Sequence, residues 1–381
     1  MEALTRIAAG LSTLGDVDAA TREAAIEART PLGPDAVDLA FIFLSPEHLD
    51  GAEDAVVAVR EELAPTHLLG CVADGIVARD VEVERGPAVA LWAASLPSAR
   101  IETFHATASD VGDAIGVFGV PELADASLVA LLVDPYSFPA AGLVERLDGV
   151  PLVGGVAIGG GEAGAQALIV DGEVHAEGAV GAVVRDVPVR PLVSQGCAPI
   201  GREAVVTRAE GNLVYELAGE PALERLKADI AALAPEQQAL ATRGLLAGLV
   251  IDENRPTYDR GDFLMRGLLG IDEESGAIAI GDDVRVGQTL RFHVRDAASA
   301  DEDLREALAE LAGEPAAGAL LFTCNGRGAG MFGESGHDAR LVSDALGSGV
   351  AGFFCGGEIG PVGGRPFLHG FTATLAVFLD D

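Results

Sequence analysis

The sequence holds a single lysine, Lys227, among 25 lysines and arginines, set against 59 aspartates and glutamates. The formal net charge is −34. Affinity for nucleic acid and for anionic lipid rests on cations that neutralise phosphates, and the arginines here are scattered. Neither partner is expected, and the acidic surplus serves solubility. No apolar run approaches the roughly 18 residues that a membrane helix needs. The opening "MEALTRIAAGLSTLGDVDAATREAA" lacks a basic stretch followed by an apolar one, so no signal peptide is read. The expected location is the cytoplasm. The four cysteines, Cys71, Cys197, Cys324 and Cys355, form no CxxC pair, which excludes a zinc ribbon and a thioredoxin-like motif. As cytoplasmic thiols they would stay reduced. The seven histidines form no HxxxH, HxH or CxxCH spacing, so no metal site is expected. Aromatics are only 5% of the chain, leaving the core to Ala, Val, Leu and Ile.

What is present is length and a pattern. A chain of 381 residues, 49% apolar, usually forms two domains with cores of their own. One arrangement recurs three times: an apolar strand, a polar or Gly-rich turn, a helix, a strand ending in glycine, then two more strands. The first copy opens with "LAFIFLSPEH" and continues to "THLLGCVADGIV". The second runs from "LVALLVDPYSF" to "VPLVGGVAIGGG", and the third from "GALLFTCNGRG" to "GVAGFFCGGEIGPVGG". Strand–helix–strand predicts a parallel, right-handed crossover. The short connections after it predict antiparallel neighbours, with Asp171-Gly172 as a hairpin turn. The expected class is α/β (α+β), with mixed, largely antiparallel sheets packed with helices and built from repeated β-α-β-β-β units in two domains. Between the second and third copies lie further strands, a helix broken at Pro235, and "DEDLREALAELAG", a helix ending at Gly313. The domain boundary is placed in the helical stretch near 220–240.

Several of these segments together resemble the FIST sensory-domain family. The N-terminal half carries "DLAFIFLSPEH", "LLGCVADGIV", "EVERGPAVALWAASLP" and "SQGCAPIGREAVVTRAEGNLVYELAGEPALERL". The C-terminal half carries "DFLMRGLLGIDEESGAIAIGDDVRVGQTLRFHVRDA", "LLFTCNGRGAGMFGESGHDA" and "FFCGGEIGPVGGRPFLHGFTATLAVF". The resemblance spans about residues 38–378. It implies a lead-in over 1–37, a FIST N-terminal domain over 38–230 and a FIST C-terminal domain over 231–381. It also implies a non-enzymatic module that binds a small ligand, an amino acid by the usual suggestion, and signals through a protein partner. Some members bind haem and sense nitric oxide. No output domain is joined to this chain, so it reads as a free-standing copy. Self-association stays open. The chain departs from the family pattern at Val72, at Gly267 after Arg266, and at Cys355, which bears on which ligand is bound.

"LLFTCNGRGAGMFGESGHDA", residues 320–339, admits three readings. Gly328, Gly330 and Gly333 match GxGxxG after a strand. A dinucleotide fingerprint needs those glycines to open the helix itself, whereas the helix is expected after Glu334. Alternatively Cys324, with Arg327 lowering its pKa and His337 or His369 as base, would be a nucleophile; burial as an ordinary thiol is the simpler account. The third reading is a ligand wall, with Asn325 as donor and acceptor, Arg327 as a carboxylate fork and Gly328 allowing close approach. Against it stands a surface ion pair between Arg327 and a nearby acid. Repeat logic sets the turns 45–48, 134–137 and 324–327 at comparable places, and likewise the glycine-ended strands 70–75, 154–160 and 356–360, which brings in Ser45, His48 and Cys71. Glu358 is a lone acid in an apolar, glycine-rich run, suited to a ligand ammonium or to an arginine such as Arg266 or Arg365. Arg266 is either a second anion contact or an outward strand residue. A haem needs one axial histidine, for which His48 and His369 are the candidates. The site predicted from sequence is therefore Ser45, His48, Cys71, Arg266, Cys324, Asn325, Arg327, Gly328 and Glu358, with no catalytic residue and no required cofactor.

Overall fold

The structure is a computed structural model that describes residues 4–112, 114–144, 146–242, 244–311, 313–347 and 349–380. The chain folds as two compact units. One takes 4–193, 304–368 and 372–380; the other takes 194–303 with 369–371. A linear cut near residue 230 falls inside the second unit.

All three expected crossovers are formed, each with a parallel strand pair. The first runs β1 (Leu39–Leu44), α1 (Ala52–Glu62), β2 (His67–Val72). The second runs β3 (Leu128–Val133), α2 (Ala140–Val144), β4 (Leu152–Ala157). The third runs β5 (Ala316–Cys324), α3 (His337–Leu346), β6 (Val350–Val362). Every residue of β1 and β3 is buried. That is why both strands read as unbroken apolar runs rather than as an alternation.

In the first unit the first crossover belongs to a six-stranded sheet, and the other two share a larger sheet in which β6 pairs antiparallel with β4. One apolar layer contains Phe41, Phe43 and Trp92 from the smaller sheet and Phe322, Phe353 and Phe378 from the larger. Trp92 and Phe378 have ring centroids 5.1 Å apart, and such aromatic pairs add to simple area burial. Helix Val17–Leu32 lays Ala20, Ala24 and Ala28 with α1 on the outer face of the smaller sheet. Its N-terminus is capped by Asp16, whose carboxylate accepts from Ala19 N at 2.9 Å. The outer face of the larger sheet is covered partly by α3, through Ala339 and Val342. The hairpin at Asp171-Gly172 is present, with φ of 44° and 94°, the left-handed pair that a tight two-residue turn requires.

The second unit is an antiparallel seven-stranded sheet that closes on itself. Strand Cys197–Glu210 pairs with Thr289–Arg295 at one end of the order and with Leu213–Leu217 near the other. Closure removes the exposed edges. Helix Ala222–Ala231 adds Leu223 and Leu226 to its core, and Pro235 starts the next helix at its first position. The sequence indicates these strands one by one but not the closure, because closure is a pairing between distant segments.

Candidate functional site

The turns that follow β1, β2 and β5 meet at an open cleft of about 540 Å³ in the first unit. Its walls are Pro46 and Glu47 after β1, Asp74 and Gly75 after β2, the turn Glu84–Gly86, Asn325 after β5, and Phe354 on β6. The wall therefore presents three carboxylates, one guanidinium and one carboxamide beside an aromatic ring. Asp74 stays open to solvent on one side, yet partial burial raises its carboxyl pKa. Of the residues predicted from sequence, Asn325 lines this cleft directly. Ser45 and His48 flank its Pro46 and Glu47. Gly328 sits against Glu84 with φ of 69°, where an added Cβ would meet the carboxyl carbon at 2.9 Å. Glu84, Arg85 and Phe354 escaped sequence reasoning, although "EVERGP" and "GFFC" stood among the segments singled out, while Glu47 and Asp74 fell within the compared segments without being named.

Behind Asn325 lies a buried polar cluster. Arg327 is not an open fork. Its Nε and Nη2 donate to the two carboxylate oxygens of Asp338 at 2.6 and 2.8 Å, and both side chains are inaccessible to solvent. The pairing with an acid foreseen for Arg327 is real, but it is interior. Burial alone would raise the Asp338 carboxyl. Arg327, with bonds from His337 and Thr323, instead holds it well below the ordinary carboxylate range. His337 also stacks on Phe332, with centroids 3.5 Å apart. Three side chains, Arg327, His337 and Thr323, are thus committed to one acid.

Glu358 is wholly buried. Its Oε2 accepts from Thr372 N and Oγ1 at 3.1 and 2.9 Å, while Oε1 has no partner. Burial pushes its pKa up to about 8, against the opposing effects of Thr372, the Cys324 thiol and the Arg327 charge. A β-bulge places it there. β6 sets Cys355 opposite Ala157 and Glu358 opposite Gly155, so three steps on one strand match two on the other. The extra residue turns Glu358 onto the face that already carries Cys355. Gly155 leaves room for this, since a Cβ would lie 2.2 Å from Cys355 Sγ.

The GxGxxG reading fails on geometry. Gly328–Gly333 enclose only the short helical turn Ala329–Phe332, and α3 begins at His337. The backbone N–H groups at the start of α3 are already engaged: Glu82 accepts from Gly336 N at 2.9 Å and from Ala339 N at 3.0 Å. A protein carboxylate occupies the place a pyrophosphate would take. Arg266 belongs to the second unit, where it donates to Asp282 at 2.7 Å. His48 is buried, with burial lowering its pKa and its ring bonded to the backbone of Leu14. No histidine lines the cleft, so the residues there do not fit an axially ligated haem. Cys71 and Cys355 are fully buried and burial raises both thiols. Among the described residues, no group of three or more His, Cys, Asp or Glu is placed to hold a metal ion, and no helix is long and apolar enough to cross a membrane.

Fold and cleft together define a repeat-built, mixed α/β protein whose strand-end turns gather polar groups, a common setting for ligand recognition. The FIST N domain model matches residues 38–220 and the FIST C domain model matches 222–361. The chain belongs to the FIST family, whose domains are sensory. It is 47% identical to an uncharacterized protein of Mycobacterium tuberculosis over 385 aligned positions, covering 98% of this chain and 100% of the relative. It is 45% identical to an uncharacterized protein of Mycobacterium bovis over 386, covering 99% of each.

Proposed function

We propose that this chain is a cytoplasmic sensor that binds a small polar ligand, of the amino-acid kind, in the cleft bounded by Glu47, Asp74, Glu84, Arg85, Asn325 and Phe354, and signals through a protein partner without catalysis. The observation that carries this reading is the convergence of the turns after β1, β2 and β5 on one open, mixed-charge cleft. An ammonium group suits Asp74 and Glu84, a carboxylate suits Arg85, and Asn325 donates and accepts. Arg327 contributes from behind, by fixing the turn that presents Asn325.

A thermal-shift screen of amino acids, small carboxylates and amines tests it. A ligand at about a hundred times its Kd stabilises the folded chain by about 2.7 kcal/mol, which is a readily measured rise in Tm. Arg85→Ala and Asn325→Ala should each lose most of the rise given by every hit. Equal rises in wild type and both variants would place binding elsewhere.

A further inference from the structure

The buried cluster behind the cleft has a use that ligand binding does not require. Cys324 ends β5 with 8% of its surface exposed, against 2% for Cys197 and 0% for Cys71 and Cys355. The next residue, Asn325, is on the cleft wall. Cys324 is thus the most exposed of the four cysteines and is the sequence neighbour of a cleft residue. The sulfur accepts from Gly326 N at 3.4 Å, and the thiol hydrogen-bonds to Glu358. Two polar atoms beside it are buried and lack partners: Glu358 Oε1 and Arg327 Nη1. A carboxyl that exchanges a proton near neutrality, a thiol and a guanidinium with a spare N–H make a reactive set.

We propose that Cys324, Glu358 and Arg327 form a hydroperoxide-reactive site at which Cys324 is converted to a sulfenic acid. The step balances as follows. Cys324 passes its proton to Glu358, and the Arg327 charge favours the thiolate. The sulfur attacks one peroxide oxygen, and the S–O bond forms as the O–O bond breaks. The departing oxygen takes the proton from Glu358 and leaves as water, or as an alcohol if the peroxide is organic. Sulfur is oxidised and the peroxide is reduced by the same electron pair. Thr372 is a positioning residue that holds Glu358 through two hydrogen bonds. Cys355, opposite Cys324 in the parallel register of β5 and β6, is the thiol placed to condense with the product. This site does not depend on the ligand reading above, because neither Glu358 nor Cys324 lines the cleft.

The test is trapping with a cyclic diketone specific for sulfenic acids. The reduced protein is treated with hydrogen peroxide at about the protein concentration, followed by peptide mapping. Either label should appear at Cys324 or, where Cys355 condenses first, a Cys324–Cys355 disulfide should be mapped; both should vanish in Cys324→Ser. Glu358→Gln should slow labelling at least about tenfold with an unchanged circular dichroism spectrum. Should that variant fail to fold, Thr372→Val serves instead and should slow labelling severalfold. Label spread evenly over the four cysteines overturns the proposal. So does the absence of both the label and the Cys324–Cys355 disulfide in the wild type, or an undiminished rate in whichever variant folds.

Discussion

The first and third crossovers end in equivalent turns that solve one backbone problem with different chemistry. After β1, Ser45 is neutral: its Oγ accepts from Ala88 N at 2.9 Å, while its own N–H donates to Ala88 O. After β5 the corresponding turn holds an ion pair, Arg327 with Asp338, and a thiol bonded to Glu358. Cys71 and Cys355, at matching places on β2 and β6, share one apolar layer. A repeated backbone thus fixes where a polar group can stand, and the side chain decides how much is at stake if it is removed. A neutral hydrogen bond is modest, whereas an uncompensated interior charge is severe.

Asp338→Ala breaks the comparison most strongly. It strands a guanidinium in the interior and should cost about 3–5 kcal/mol, read by urea unfolding. A loss under about 1 kcal/mol would mean that Arg327 finds water on rearrangement.

Next comes pH. The folded Glu358 pKa is raised to about 8, so the stability linked to its neutral form is complete below the unfolded value near 4.3 and is lost as pH rises through about 8. Asp338 has the opposite sign: its folded pKa is depressed, so its contribution is present above the unfolded value near 3.9 and is lost as pH falls below it. Glu358→Gln should flatten the decline in Tm between roughly pH 5 and 8. An unaltered slope would show that Glu358 stays ionised throughout.

Ser45→Ala sharpens the comparison from the neutral side. It leaves the buried Ala88 N–H without its acceptor and should cost about 1–3 kcal/mol. Arg266→Ala, in the other unit, removes a pair whose members keep contact with water. It should change stability by no more than about 1 kcal/mol, and a larger loss would mark Arg266 as structural in the way Arg327 is.

The three crossovers were legible in sequence because parallel strands buried on both faces leave continuous apolar runs, and the helices between them have turn signals at each end. Arg327 and Glu358 stood out in the sequence too, since each interrupts a glycine-rich run. Their roles were not legible. Asp338 lies eleven positions beyond Arg327 on a helix where an acid looks like an ordinary first-turn residue. The bulge that swings Glu358 toward Cys355 depends on the pairing of β6 with β4, a strand some two hundred residues earlier. The cleft residues Glu84 and Arg85 sit in a short turn whose own composition says only that it is exposed.

By itself, then, the sequence determined the elements, their repetition and the family, because these follow from local periodicity, composition and order along the chain. Tertiary structure alone decided that Arg327 is spent on Asp338, that Glu358 is buried beside a thiol, and that Asn325 and Arg85 line the same cleft. Each of those depends on side chains that only folding brings together, and the buried interactions among them owe their strength to the loss of water around them.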